Sequence, residues 1–321
     1  MNKEVAVLLA VYYPNMTFLK QQLRSLNDQT YNKMRIYICD DSANEKEYAS
    51  ISKLVQQELT NKPYILFANA QNLGSTKTFE RLTQLAQGDY VAYCDQDDIW
   101  ETDKIEKQVI TIEHTQSRLV YSHLRVINAQ NDVISERFSE YNPRIEMVEG
   151  ENLFSFFVRR NCVTGCSLLM DSAVAKQAMP FHSEYVHDHW LALHASLSGK
   201  ITCIKESLVQ YRLHGDNQIG STRLYGVENI EDYVPNKLVK EYDKLSTLFD
   251  VLPLTPQQKE VLEAELKSIQ ARIDWFKKPS ASTYRALKSF RKEDAQLAKF
   301  ETVVRLLPKK WANKVIRKIK Q

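Results

Sequence analysis

Short, wholly apolar runs alternate with stretches in which apolar residues recur every three or four positions. Val5 to Val11 is a continuous apolar run and reads as a buried strand. Pro14-Asn15 breaks it, and Phe18, Leu19, Leu23 and Leu26 then mark one face of a helix. Met34 to Cys39 repeats the strand signal, followed by the helical stripe Tyr48, Ile51, Val55 and Leu59. Tyr64 to Ala68 is a third strand, Asn69 to Ser75 a loop, and Phe79, Leu82 and Ala86 a third helix that Gly88 is placed to end. A fourth strand leads from Tyr90 into Asp95, and Ile105, Val109 and Ile112 follow at helical spacing. Strands alternating with amphipathic helices predict an α/β fold with a mostly parallel central sheet joined by right-handed crossovers.

The pattern then changes. Leu119 to Tyr121 and Leu124 to Ile127 read as two strands, turning through Asn128 to Asp132 into Val133-Ile134, a meander that leaves the parallel sheet. Leu153, Phe156 and Phe157 predict a short helix. Val163 to Met170 reads as a buried strand in which Gly165 marks a bulge or the close approach of a ligand or another backbone. Trp190, Leu193 and Leu197 continue helically from Asp188, and Leu208 to Leu213 is a last strand. After Gly220 the stripes are helical, with Leu262, Leu266, Ile269, Ile273 and Phe276 the longest, interrupted by Pro253, Pro256 and Pro279. Two regions are therefore expected, 1–220 and a helical 221–321.

The chemistry gathers at the end of the fourth strand. Tyr90-Val91-Ala92-Tyr93-Cys94 runs into Asp95-Gln96-Asp97-Asp98-Ile99-Trp100, three carboxylates within four residues. Like charges so close repel unless a cation sits among them, and a divalent ion with oxygen ligands answers that need. The alternative is a solvated acidic turn in which Asp97 or Asp98 caps the next helix. A second acidic strand end, Asp40-Asp41-Ser42, falls on the same rim, beyond the carboxyl ends of the strands where such sheets bind ligands. One of these two aspartates is expected to make an Asx-type turn. The turn after the first strand, Val11-Tyr12-Tyr13-Pro14, has no glycine, and no Walker-type Gly-Lys-Ser/Thr occurs. Both absences argue against a backbone cradle for phosphate and for a metal-bridged diphosphate.

Composition narrows the setting. The chain has 321 residues, ordinary hydrophobic and charged fractions, and five cysteines without framework spacing, which suits reduced thiols. Cys162 and Cys166 lack the companions of a zinc site and read as small buried residues. No apolar run is long enough to span a bilayer and Met1-Asn2-Lys3-Glu4 does not resemble a signal peptide, so the expected location is the cytoplasm. The net charge of +3 hides seven Lys or Arg and no acid from Thr302 onward. Elsewhere charges are mixed, which argues against nucleic acid as a partner. Trp311, Val315 and Ile319 share a helical face ringed by Lys309, Lys310, Lys314, Arg317, Lys318 and Lys320. Such a helix suits the inner surface of an anionic membrane, or docks on its own domain.

Asp188, between His187 and His189, has two readings from its position: an N-cap, or a carboxylate base on the rim of a cleft. A metal-hydrolase set of His187, Asp188, His189 and His194 is disfavoured, because adjacent helical residues point apart and His189 to His194 misses the i, i+4 pairing.

Several ordered segments together resemble the family 2 glycosyltransferases of GT-A fold, over about residues 1–220. They are Ala10-Val11-Tyr12-Tyr13-Pro14, Gln29-Thr30-Tyr31, Cys39-Asp40-Asp41-Ser42, Asn72-Leu73-Gly74, Gly88-Asp89-Tyr90, and Asp95 to Trp100, the last in a form seen in the bacterial rhamnosyltransferase-like branch. The resemblance implies an inverting, metal-dependent transfer of a sugar, rhamnose or another hexose, from a dTDP- or UDP-sugar to a glycan or polyprenyl-linked acceptor of bacterial surface polysaccharide. It implies nucleotide-sugar contacts at Ala10, Tyr12, Asp41, Asn72, Gly74, Asp95, Gln96, Arg212 and His214. It further implies Mg²⁺ or Mn²⁺ on Asp97 with Asp95 and His214, and Asp188 as catalytic base, although the family often has Glu where this chain has His187. Tyr211 to His214 resembles the closing segment whose Arg and His face the diphosphate. A metal-dependent nucleotidyltransferase and a non-catalytic membrane scaffold remain the alternatives, and a homodimer stays open.

Overall fold

The computed structural model describes residues 3–214, 224, 226–289 and 294–320. The chain divides into two compact units, 1–215 and 216–321. The boundary expected after Gly220 lies outside the described residues.

In the first unit β1 (Val5–Val11), β2 (Met34–Asp40), β3 (Tyr64–Ala68) and β4 (Tyr90–Cys94) pair in parallel in the order β3-β2-β1-β4. The crossovers are α1 (Met16–Asn27), α2 (Glu45–Glu58) and α3 (Ser75–Leu85). Asn15 starts α1 by accepting from the N–H groups of Thr17 and Phe18, and Asn44 does the same for α2 at Lys46 and Glu47. Val7, Leu9, Ile36 and Ile38 are wholly buried between helix layers, each contributing about 1.5–3 kcal/mol. Because every one of these strands is parallel, their carboxyl ends open onto one edge. Two backbone bonds stitch that edge together, Asp41 N–H to Val11 O and Asn69 N–H to Asp40 O, both 2.8 Å.

The second half of the unit follows as β5 (Ile99–Trp100), α4 (Lys104–Thr115), β6 (Leu119–Ile127), β7 (Val133–Ser135), α5 (Phe138–Tyr141), α6 (Phe154–Arg159), β8 (Leu168–Asp171), α7 (Ser172–Gln177), α8 (His187–Ser198) and β9 (Ile201–Arg212). The sheet continues as β4-β8-β6-β9-β5. β8 runs antiparallel to β4 and to β6, whereas β6 and β9 are parallel. Three expectations are corrected here. Leu119 to Ile127 is one strand that stays within the sheet, because nearly all its residues are buried. The strand expected from Val163 begins only at Leu168, since Gly165–Ser167 forms a 3₁₀ turn. Gly88 does not end α3; it lies beside β1, where an added Cβ would stand 3.0 Å from the Glu4 carbonyl.

The second unit is helical: α9 (Ile230–Tyr233), a π-helical turn (Val234–Val239), α10 (Lys240–Ser246), α11 (Leu248–Val251), α12 (Pro256–Lys277), α13 (Ala281–Ser289), α14 (Ala295–Leu306) and α15 (Lys309–Lys320). Thr255 and Gln258 form a capping box at the start of α12. Its core is partly ionic. Arg272 reaches Glu301 at 2.8 Å, and the Tyr233 hydroxyl donates to the same carboxylate at 2.7 Å. α15 buries Ala312 and Ile316, leaving Val315 and Ile319 half-buried and Trp311 exposed. Its inward face is thus rotated from the Trp311 stripe, with Asn313 accepting from Ile230 N–H and Lys309 pairing with Glu231. Among the described residues no helix is long and apolar enough to cross a membrane.

Candidate active site

The strand-end loops build the rim from their own polar groups. Asp40 makes the Asx turn, accepting from the N–H and hydroxyl of Ser42, each at 2.9 Å. Asp41 instead anchors the next loop: Oδ1 accepts from Asn69 Nδ2 (2.6 Å) and Leu73 N–H (2.8 Å), and Oδ2 from Gly74 N–H (2.8 Å). Asn72 Oδ1 also accepts from Gly74 N–H, at 2.9 Å. Gly74 has φ +78°, a left-handed conformation that favours glycine, and it starts α3. A carboxylate has about four acceptor positions, so Asp41 keeps one beyond its three bonds. Ala10 lies half-buried near the end of β1. Gln96 grips Tyr12 twice, accepting from its N–H (2.8 Å) and donating to its carbonyl (3.2 Å). The exposed Tyr12 and Tyr13 rings stand edge to face beside this clasp.

Neither Asp97 nor Asp98 caps α4, which follows Asp103. Asp98 is buried. Its Oδ1 accepts from Arg212 N–H at 3.0 Å, while Oδ2 has no hydrogen-bond partner. Burial first, and then Asp97, push its carboxyl up to about 7. Asp95 is held well above the usual carboxylate range by burial and by the charges of Asp98, Asp97 and Asp188. The Gly165-Cys166 turn links this loop to the start of α8, since Gly165 N–H donates to Asp188 and the Cys166 side chain groups with Asp95 and Asp98. Beneath lies Lys104, fully buried over the Trp100 ring at 3.5 Å and donating to Gln108 at 2.9 Å. Burial pulls its ammonium down to about 7.

The closing residues of β9 brace this loop. The Arg212 guanidinium donates to the Asp97 carbonyl (2.8 Å), the Asn128 carbonyl (3.1 Å), Asn131 Oδ1 (2.5 Å) and Gln21 Oε1 (2.7 Å), and lies 4.3 Å from the Phe18 ring centre. The residue is wholly buried. The expected diphosphate contact is corrected accordingly: its fork is engaged by protein acceptors, and it fixes the backbone that carries Asp97. His214 Nε2 lies 2.6 Å from Asp97 Oδ2. Of the expected ligands Asp95, Asp97 and His214, the last two meet side chain to side chain, while Asp95 groups elsewhere in the loop. The side chains that do lie within 4.8 Å of one another are Asp95, Asp98 and Cys166. The Cys166 thiol is pushed well above its ordinary value by burial and the two aspartates, which makes it a poor ligand at neutral pH. A buried carboxylate oxygen without a partner, amid mutually repelling acids, nevertheless fits a divalent cation. Hard divalent cations prefer carboxylate oxygens as ligands.

Asp188 lies in the first turn of α8, whose N-cap is Val186. Its Oδ1 accepts from Asn161 Nδ2 at 3.1 Å and His189 N–H at 2.5 Å, and Oδ2 accepts from Gly165 N–H at 3.2 Å. Burial raises its carboxyl to about 6, opposed by the bonds from the His189 and Gly165 N–H groups. The neighbouring His187 is buried against Phe79 and Tyr93, and both its ring nitrogens lack hydrogen-bond partners. Burial holds it neutral, down to about 3. A Cβ on Gly165 would stand 2.6 Å from His187 Nε2, so the expected close approach is made by this ring. His189 Nε2 lies 2.6 Å from the Phe157 carbonyl and His194 packs on Trp190. These histidines face separate surroundings, and the metal-hydrolase set falls.

Four residues of the site lay outside the sequence reading: Lys104, Asn161, Cys166 and His187 in its buried role. The Asn161-x₃-Gly165 spacing ahead of an aspartate is the only local signal, and it has meaning only once both ends meet at Asp188.

A curled α/β sheet with an acidic strand-end loop on its carboxyl edge and helices after it defines the GT-A glycosyltransferase fold. The chain belongs to the family described as Glycosyl transferase family 2, which it matches over residues 11–176. It is 23% identical over 247 residues to the Escherichia coli UDP-Glc:alpha-D-GlcNAc-diphosphoundecaprenol beta-1,3-glucosyltransferase WfgD, covering 74% of this chain and 89% of that one. To the corresponding E. coli enzyme WfaP it is 27% identical over 214 residues, 65% of this chain and 77% of that one. Among solved structures it resembles the mannosyltransferase PcManGT of Pyrobaculum calidifontis in complex with GDP-Man and Mn²⁺ (TM-score 0.59, 13% identity, 99% of this chain and 85% of that one). It also resembles S. aureus TarS 1-349 in complex with UDP-GlcNAc (TM-score 0.58, 13% identity, 99% and 88%). The protein is a family 2 glycosyltransferase.

Proposed function

We propose that this glycosyltransferase moves rhamnose or another hexose, with inversion, from a dTDP- or UDP-sugar to a polyprenyl-linked glycan on the cytoplasmic face of the membrane, in bacterial surface polysaccharide assembly. The observation that carries the reading is the carboxylate of Asp188, oriented by Asn161 and Gly165 and raised to about 6. A base of that strength is near ideal for work at neutral pH. Asp188 takes the proton of the acceptor hydroxyl as its oxygen bonds to the anomeric carbon, while the bond from that carbon to the diphosphate breaks. Asp97, with His214 against it and Asp95 in the same loop, would hold Mg²⁺ or Mn²⁺, which would supply charge neutralisation for the leaving nucleoside diphosphate. Gln96 and Arg212 hold the loop that presents these carboxylates, and Asp41 holds the Leu73-Gly74 turn. The lipid-linked acceptor is supported by the two E. coli relatives, whose names specify diphosphoundecaprenol substrates.

A thermal-shift panel of dTDP-, UDP- and GDP-sugars with and without Mn²⁺ tests the donor. A dTDP- or UDP-sugar is expected to raise the melting temperature, more so with Mn²⁺, because a ligand that binds only the folded state stabilises it. A response to GDP-sugars alone, or none that depends on the ion, contradicts the proposal.

A further inference from the structure

Residues 277–320 hold fourteen Lys or Arg and three acids, whereas the remainder of the chain holds more acids than bases. One of the three acids, Glu301, is buried with Arg272. Among the described cations Lys309 pairs with Glu231, and Lys299, Lys310, Lys314, Arg317 and Lys318 are all exposed.

Among them the unit exposes large apolar side chains. Leu306 is 65% exposed, Trp311 58% and Val303 45%. Val303 and Leu306 are three apart on α14 and share a face. Between α14 and α15 runs a groove of about 300 Å³ lined by Phe300, Val303, Val304 and Val315. Trp311 lies one helical turn before Val315 on α15. Lys314 Nζ lies 5.6 Å from the Trp311 ring centre.

We propose that the α14–α15 hairpin is an interfacial docking surface for anionic lipid. Leu306, Trp311 and Val303 enter the headgroup boundary, and Lys310, Lys314, Arg317 and Lys318 meet the lipid phosphates. Apolar side chains within a basic field are what a lipid surface rewards, whereas nucleic acid rewards the cations but not the aliphatic ridge. A second copy of the same surface would oppose like charges across a symmetric interface. The surface lies within one unit and its binding needs no donor or metal, so it stands apart from the sugar-transfer proposal.

The test is sedimentation of the full chain with vesicles of phosphatidylglycerol and phosphatidylcholine, or of phosphatidylcholine alone. Binding is expected only to the anionic vesicles and is expected to weaken with salt. Leu306→Glu with Trp311→Glu lowers the affinity about tenfold or more, and Lys314→Glu with Arg317→Glu does likewise. All four sites are exposed, and unchanged melting temperatures confirm intact folds. Unchanged sedimentation of the Leu306/Trp311 variant overturns the proposal, as does equal binding to neutral vesicles. Two further results overturn it: tighter binding to RNA than to anionic vesicles, and a lipid-free dimer that the same variants dissociate.

Discussion

Asn161 donates its side-chain amide to Asp188 Oδ1 at 3.1 Å, and its own Oδ1 accepts from Val163 N–H at 3.0 Å. The second bond locks the amide so that its NH₂ group faces the carboxylate. A donor to the charged form favours ionisation. The base must be deprotonated to act, so kcat/KM is expected to fall as pH drops through about 6, the value to which Asp188 is raised. Asn161→Ala removes a stabiliser of the carboxylate and moves this acid limb to higher pH, by up to about one unit. A pH profile of both proteins checks it; a limb that stays in place refutes the positioning role.

Gly165 has no room for a methyl group while His187 is present, since Cβ would meet Nε2 at 2.6 Å. Gly165→Ala is expected to destabilise by about 1–3 kcal/mol and to lower transfer, because the same residue's N–H holds Asp188. His187→Ala removes the obstacle. The double variant should lose less stability than the sum of the single ones, as coupled neighbours do. Strict additivity in denaturant unfolding would show that the ring and the turn do not press on each other.

His187 also sets a pH dependence of stability. Its folded value is depressed to about 3 from 6.5. The neutral ring is thus fully compatible with the fold above 6.5, and stability is lost as pH falls from there toward 3. The slope is at most about 1.4 kcal/mol per pH unit for one proton. His187→Leu removes two unpartnered buried nitrogens and should flatten the fall in melting temperature between neutral and mildly acid pH.

Arg212 spends its guanidinium on the Asp97 and Asn128 carbonyls, Asn131 and Gln21. Lysine has neither the planar fork nor the reach in several directions. Arg212→Lys is expected to cost about 2–4 kcal/mol in unfolding measurements and to lower transfer with it. A variant with wild-type stability but weakened donor affinity would restore the diphosphate role expected from sequence.

The parallel half of the fold was legible because each of its strands is a short run of apolar residues and each crossover has one apolar stripe, as in Val5–Val11 and Leu19-Leu23-Leu26. Periodicity misled where burial is two-sided. Leu119–Ile127 carries Ser122 and His123 within one strand, and this polar pair reads as a break although the neighbours on both sides bury the backbone. Of the site, residue types at strand ends were legible: Asp41, the Asp95–Asp98 loop and Asp188 all sit where carboxyl ends and a helix start place them. Partners were not, because they are set by tertiary approach. The resemblance made Arg212 a phosphate cation; its burial against Phe18 appears only when β9 lies beside the Asn128–Asp132 turn. Nothing local in the sequence marked Lys104 for burial, and Cys166, read as a small buried residue, gave no sign that it would lie beside Asp98.

The central claim is tested by comparing wild type with Asp188→Asn on a nucleotide sugar, Mn²⁺ and a polyprenyl-diphosphate-linked sugar acceptor, and identifying the released nucleotide. Wild type is expected to release nucleoside diphosphate in step with glycosylated acceptor. Asp188→Asn should still show the donor-induced thermal shift but lose at least about a hundredfold in turnover, the usual scale of a general base. Release of pyrophosphate by wild type, or undiminished turnover by Asp188→Asn, would contradict the account.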